Sequence, residues 1–313
     1  MISRDVRLAA RYIQEGRLVA FPTETVYGLG ANVFEPKAVA KIFELKQRPF
    51  FDPLIVHVCA LEIVRDLVAA WDERIELLAR EFWPGPLTLV LPKSAKVPDI
   101  VCAGLDTVAI RMPDHALALE LIRLSGCPLA APSANKFGRL SPTTPEHVFK
   151  QLPDVDLILD GGRTKVGLES TIISLNQNGF TILRYGIITR KQIEKIIPYA
   201  PTAPCGALAP GHLKSHYSPS KPVYLLGQRS LTSLEKARAG LISFSGKDTE
   251  GYKYVEVLTK NQDLKEYAAN LFAAMHKLEE LDVDFIVAEP VPAQGIGLAI
   301  MDRLQKASYR YRR

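Results

Sequence analysis

The chain has 313 residues, 47% hydrophobic and 23% charged, with a formal net charge of +5. That length suits two domains with cores of their own. The mild basicity suits anionic ligands but falls short of a nucleic-acid-binding signature, and no apolar run approaches membrane-spanning length. The four cysteines (Cys59, Cys102, Cys127, Cys205) show no Cys-x-x-Cys spacing, which argues against a structural zinc or a redox dithiol and for free thiols in a reducing compartment. Met1 to Gly16 is charged and amphipathic, without the apolar core of a signal peptide, so a cytoplasmic protein is expected.

Taken in order, Ser3 reads as the cap of a helix with Val6, Ala9, Ala10 and Ile13 on one face, stopped by Gly16. Leu18–Phe21 is a buried-strand run. Thr23 to Gly30 reads as a hydroxyl-rich loop at a strand end, closed by glycines; it matches neither Gly-x-Gly-x-x-Gly nor a Walker A loop. Pro36 opens a helix that delivers Lys46 and Arg48. Strands are expected at Leu54–Val58, Leu87–Leu91, Thr107–Arg111, Leu129–Ala131, Leu157–Leu159, Ser170–Leu175 and Phe180–Arg184. Helical patterns lie around Val64, Ile75–Phe82, Ala116–Leu124, Val148 and Thr189–Ile197. Asp160-Gly161-Gly162 reads as a tight turn between the strands on either side of it.

Residues 200–222, with five prolines, read as a semi-rigid linker, yet Pro210 to Pro219 carries two His, a Lys and a Tyr, more than a spacer needs. A second α/β pattern follows, with strands at Val223, Leu241, Tyr254 and Phe285 and a long amphipathic helix through Leu264, Leu271 and Leu278. A last helix spans Gly295–Lys306. The expected organisation is a first α/β domain over 1–199, a linker over 200–222 that also reads as a lid over a ligand site, and a C-terminal α/β domain over 223–313.

The polar loops mostly follow strands and carry hydroxyls, amides and cations: Thr23, Thr25, Ser133, Asn135, Ser141, Ser170, Thr171, with Lys46, Arg48, Arg111 and Arg184. No Ser-His-Asp order, metal-ligand cluster or Gly-x-Ser-x-Gly elbow stands out. Such a set suits phosphate-bearing ligands, handled by positioning and charge neutralisation rather than covalent attack. Individually the residues have plainer readings: a Lys-x-Arg pair as solvated surface, Ser-x-Asn as a turn, Tyr27 and His57 as core side chains, His216 and Tyr217 as pins for the linker.

Phe21 to Gly30, Lys46-Gln-Arg-Pro49, Pro53 to His57, Pro84 to Thr88, Ala109 to Pro113, Ala131 to Asn135, Ser141 to Thr144 and Glu169 to Ile172 occur together. In these blocks the chain resembles the YrdC-like threonylcarbamoyl-AMP synthases, nearly continuously over residues 18–190. Ala209 to Pro219 and the C-terminal region resemble the long, two-domain form. The resemblance implies an α/β fold, a YrdC-like twisted mixed sheet with helices plus a smaller Rossmann-like domain. It implies a nucleotidyltransferase that makes L-threonylcarbamoyl-AMP from L-threonine, bicarbonate and ATP, with Mg²⁺ alongside ATP but no metal site built from side chains alone. A separate tRNA-modifying transferase complex then uses the product on an adenosine beside the anticodon, and weak RNA binding is a further expectation.

By the same resemblance, catalysis falls to Lys46, Arg48, Ser133 and Asn135. ATP falls to these with Phe50, Thr107, Ser141, Arg184 and Tyr217. Threonine falls to Thr23, Tyr27, His57, Arg111, Ala131, Ser170 and Thr171, with Arg111 taking the carboxylate. Two departures stand out: Phe50-Phe51-Asp52, where the family often has small or polar residues ending in Asn, and Tyr185, where a proline usually follows the arginine. Competing readings are a hydrogenase-maturation carbamoyltransferase, whose cysteine-paired zinc fingers this chain lacks, an RNA-binding module, and a non-catalytic regulator.

Overall fold

The computed structural model describes residues 1–201, 216–228 and 230–311. Ten strands form one sheet: β1 (Ile2–Ser3), β2 (Val19–Phe21), β3 (Gly28–Asn32), β4 (Ile55–His57), β5 (Leu87–Pro92), β6 (Thr107–Arg111), β7 (Leu129–Ala130), β8 (Leu157–Leu159), β9 (Thr171–Asn176) and β10 (Gly179–Arg184). Their order is β1-β8-β2-β3-β7-β4-β6-β5-β9-β10, with parallel and antiparallel neighbours mixed. Strand alternation explains why both faces are covered. Val19 and Phe21 point to one apolar cluster and Ala20 to the other; Leu157 and Leu159 oppose Ile158 in the same way. Helices Val6–Gln14 and Ala116–Ser125 cover the first face. Helices Pro36–Lys46, Leu61–Leu67, Glu73–Phe82 and Pro145–Gln151 cover the second.

The second sheet is all parallel: β11 (Val223–Leu225), β12 (Ala239–Ser243), β13 (Tyr254–Val257) and β14 (Phe285–Ala288), in the order β11-β14-β12-β13. Helices Leu264–Glu280 and Gly297–Ser308 pack on it. Open parallel sheets bind ligands at the carboxyl ends of their strands. Here that crevice is filled from within. Glu289, one residue past β14, accepts from Ser243 Oγ at 2.8 Å and from the N–H groups of Phe244 and Ser245. The apolar cluster of this region also takes in Val26, Leu140 and Leu168, so the two sheets share a packed seam.

Three local expectations are corrected. Ser3 belongs to β1, and Asp5 caps the first helix through Arg7 and Leu8 N–H. Gly28–Asn32 is a strand paired antiparallel with β2, not the end of a loop; a Cβ at Gly30 would stand 2.8 Å from the Phe21 ring, so glycine is what lets the strand pass. Asp160 does accept from Gly162 N–H, but β8 and β9 lie far apart in the sheet, so the turn opens a crossing rather than a hairpin. This crossing strap donates from Val166 and Gly167 N–H to the carbonyls of Glu24 and Thr25, and so fixes the loop after β2. Gly167 sits at φ +73°, and a Cβ there would meet the backbone of Ala269 at 2.7 Å.

Candidate active site

A small cleft opens where the β2–β3 loop, the ends of β4 and β6 and the Pro132-Ser133 turn converge, and His216 and Tyr217 line it too. Its cations are all buried, and each is held differently. Helix Pro36–Lys46 ends on Gln47 in the left-handed region (φ 53°), which turns the chain sharply between Lys46 and Arg48. Lys46 Nζ donates to Ser133 O at 2.6 Å and to Asn135 O. Among the described residues no carboxylate lies within ion-pair distance of it. Burial, and then the Arg48 charge, hold its pKa well below the usual lysine value. Arg48 pairs with Asp52 at 3.0 Å and donates to Asp52 O and Pro53 O. Arg184 donates to Ser170 O and Ser170 Oγ, both at 3.0 Å, and Ser170 Oγ lies 2.7 Å from Thr88 Oγ1.

Across the cleft, Arg111 ends β6. It is ion-paired with Glu24 at 2.6 Å, each side chain only 4% exposed, and donates to Thr25 Oγ1 at 2.9 Å and Gly85 O. Thr25 Oγ1 lies 2.8 Å from Thr23 Oγ1. His57 ends β4 beside Arg111; burial first, then that charge, push its pKa down to about 3, so the ring is neutral. Tyr27 OH donates to Gly162 O at 2.7 Å and accepts from Gly161 N–H, which leaves its ring as a wall.

The second sheet's helices close the cleft. Tyr217, at φ 57°, is buried against Phe272, and Ser218 N–H donates to Gly138 O. His216 is buried among Arg48, Lys46, Lys306 and Arg184; desolvation and then these charges keep it neutral. Arg303, from helix Gly297–Ser308, is fully buried. It donates from Nε to Glu169 Oε2 at 3.0 Å and from Nη1 to Tyr185 O at 2.8 Å, with its guanidinium carbon 5.2 Å from the centre of the Tyr217 ring. Glu169 in turn accepts from Ser141 Oγ.

A family model described as "Telomere recombination" (Sua5/YciO/YrdC) matches residues 11–186, and one described as the C-terminal domain of threonylcarbamoyl-AMP synthase matches 188–308. The chain belongs to the threonylcarbamoyl-AMP synthase family, in its long two-domain form. It is similar to the threonylcarbamoyl-AMP synthase of Pyrococcus abyssi, 44% identical over 97% of this chain and 94% of that one. With the Bacillus subtilis threonylcarbamoyl-AMP synthase it shares 43% identity over 97% and 93%. It superposes on a crystal structure of P. abyssi Sua5 complexed with L-threonine with a TM-score of 0.86, at 42% identity over 99% of this chain and 96% of that one. The protein is accordingly an enzyme of this family. Among the described residues no helix is long and apolar enough to cross a membrane.

Set against this family's expected residues, the cleft is lined by Thr23, Tyr27, Arg48, His57, Arg111, Ala131, Ser133, Arg184 and Tyr217. Lys46, Asn135, Ser141 and Ser170 stand one layer back and hold the lining in place. Asn135 Nδ2 donates to the carbonyls of Lys136 and Arg139. Thr171 spends its hydroxyl on Ile188 O. Two expected ATP contacts fall outside the cleft. Phe50 is 60% exposed and stacks on Phe43 with ring centres 4.8 Å apart. Thr107 opens β6, four residues from Arg111 and out of the lining. In the departure at 50–52, Asp52 is the residue that matters, as the buried partner of Arg48. His212, Lys214 and Cys205 lie outside the described residues.

Glu24, Glu169 and Arg303 had no assigned role from sequence. A signal for Arg303 was present: on helix Gly297–Ser308 the buried positions Ile300, Arg303, Leu304 and Ala307 share one face, so a cation sits on an apolar stripe.

Proposed function

We propose that the chain makes L-threonylcarbamoyl-AMP from L-threonine, bicarbonate and ATP with release of pyrophosphate, as a nucleotidyltransferase. The observation that carries this is the gathering of cations at one cleft: Arg48, Arg184 and Arg111 line it, Lys46 is buried behind Ser133, and Thr25 of the hydroxyl loop bonds Arg111. Two anions can be held facing each other there. On the threonine side, Arg111 takes the carboxylate, with Glu24 and Thr25 fixing its fork; Thr23, Tyr27, His57 and Ala131 shape the pocket, and Ser170 and Thr171 support its wall. That the P. abyssi relative was solved with L-threonine supports this half. On the nucleotide side, Arg48, Ser133, Arg184 and Tyr217 face ATP, and Lys46, Asn135 and Ser141 back them.

The amine of threonine attacks the bicarbonate carbon, water leaves, and a carbamate forms. A carbamate oxygen then attacks the α-phosphorus in line while the bond to the β-phosphate oxygen breaks. Catalysis consists of holding the two anions together and neutralising the charge that develops on pyrophosphate. In this reading Lys46 and Arg48 supply that neutralising charge. His57 is neutral and positions threonine. In this proposal Mg²⁺ would be carried as a companion of the ATP phosphates, which supply its oxygen ligands together with water.

The division into a catalytic unit (1–199), a connecting segment (200–222) and a C-terminal unit (223–313) belongs to the same proposal, with His216 and Tyr217 as the roof. So does delivery of the product to a threonylcarbamoyl transferase complex acting on tRNA in the cytoplasm. The test is pyrophosphate release from ATP by the full chain. Release that requires both threonine and bicarbonate is expected; release indifferent to threonine overturns the reading.

A further inference from the structure

We infer that Arg303 is a positioning residue of the active site, supplied by the C-terminal α/β region, which holds Glu169 as the acceptor of Ser141 and neutralises that carboxylate beside the nucleotide. This rests on the reading that ATP occupies the cleft. Glu169 is the one carboxylate among the described residues lining the cleft; Glu24 and Asp52 stand behind Arg111 and Arg48. An ionised carboxylate there repels a triphosphate, and burial makes an uncompensated one costly. Arg303 is the larger answer to both demands, with the Arg184 charge also acting on Glu169. Arg303 Nε lies 3.0 Å from Glu169 Oε2, while its Nη1 donates to Tyr185 O and Asp302 Oδ2, both at 2.8 Å. These contacts span Nε and Nη1, so the guanidinium cannot rotate away.

With one Glu169 oxygen fixed by Arg303, the other receives the Ser141 hydroxyl proton. A hydroxyl has one donor, and Arg303 fixes the carboxylate to which Ser141 commits it, so the Ser141 side chain behind the lining is held in one orientation. The same guanidinium lies against the Tyr217 ring, so one side chain sets both the acceptor and the roof. The C-terminal region thus completes the chemistry of the first sheet rather than merely covering it. A purely cohesive contact across the seam has no need of a cation matched to the cleft's own carboxylate.

The test uses the full chain with two readouts: direct ATP binding by calorimetry without threonine, and the separate KM values for ATP and threonine in pyrophosphate release. Arg303→Met should weaken ATP binding and raise the ATP KM by roughly tenfold or more while the threonine KM stays within about threefold, since a carboxylate that has lost its larger counter-charge opposes the triphosphate proposed beside it more than the single carboxylate held by Arg111. Adding Glu169→Gln to Arg303→Met should recover most of the lost ATP affinity, because the charge to be neutralised is gone. Arg303→Lys, which keeps the charge, should lose less than Arg303→Met and carries the test if the Met variant does not fold. Equal rises in the two KM values, or a double variant binding ATP no better than the single one, overturns the inference. Wild-type chain that binds ATP without threonine-dependent turnover would sink the synthase reading alone, and the binding comparison would still decide the role of Arg303.

Discussion

Lys46→Met separates what the buried ammonium does for the fold from what it does for the reaction. Nζ has three N–H groups, and two are spent on Ser133 O and Asn135 O. The proposed phosphate role requires the third to reach a phosphate oxygen past Ser133. A hydrogen bond to a charged group contributes about 1.5–3 kcal/mol, which at about 1.4 kcal/mol per tenfold corresponds to roughly 10–150-fold in kcat/KM for ATP. Stability should respond far less. The two lost bonds to carbonyls are offset by removing a fully desolvated ammonium, and methionine fills nearly the same volume. The pH profile gives an independent check. With the folded pKa held below 10.5, the unfolded chain binds the extra proton, so this group's contribution to stability improves as pH rises from the depressed value towards 10.5. In Lys46→Met that slope should vanish. Pyrophosphate release measures the first effect, and urea unfolding across alkaline pH measures the second. A kcat/KM within threefold of wild type would refute the phosphate role, and a collapse in stability would refute the account of the burial.

Two further outcomes follow from buried pairs. Glu24→Gln leaves Arg111 as a buried charge without its carboxylate, which should cost about 3–5 kcal/mol in urea unfolding. Saturating threonine should restore part of that by supplying a carboxylate, and the threonine KM should rise while the ATP KM moves little; a loss under about 1 kcal/mol would sink the pairing. Where helix Pro145–Gln151 meets helix Leu264–Glu280, His147 and His276 stack with ring centres 3.9 Å apart, and burial pushes each pKa down to about 4. Glu146, Glu280, Lys150 and Arg163 are the charges around them. The folded chain takes up these protons later than the unfolded one, so the stability they contribute is present above pH 6.5 and lost as pH falls through about 4. His147→Phe should flatten part of that fall in urea midpoints measured from pH 7 to 4.

Much of this organisation was legible in the chain because it rests on periodicity and punctuation. Thr107–Arg111, Leu157–Leu159 and Phe285–Ala288 appear as strands with the expected bounds, each a short β-rich apolar run. Gly28–Asn32 was misread because two glycines look like a loop; only the Phe21 ring crossing above them shows why a strand needs them. The Asp160 turn was recognised, but partner choice in a ten-stranded mixed sheet is a long-range property that no local pattern carries. In the site, the motif residues were legible and their layer was not. Lys46 stands behind Ser133 and out of the lining, and Ser141 turns to a carboxylate. The partners that set those orientations lie far away in sequence: Glu169 to Arg303 spans 134 residues.

The cleft's cations fall into two groups by the company they keep. Arg48, Arg111 and Arg303 each face a carboxylate, Asp52, Glu24 and Glu169. A buried pair of this kind contributes little net stability but fixes a side chain's direction, because any other orientation strands two charges. Lys46 faces two carbonyl dipoles instead, and Arg184 bonds the carbonyl and hydroxyl of Ser170. Dipoles orient an ammonium without cancelling its charge, and its depressed pKa records that deficit. The paired arginines therefore supply geometry, and Lys46 supplies the unmet charge that an anionic ligand completes. A triphosphate that satisfies it in the ground state satisfies it more strongly as pyrophosphate leaves with extra negative charge. That is the condition for a contact to lower the barrier rather than only tighten binding.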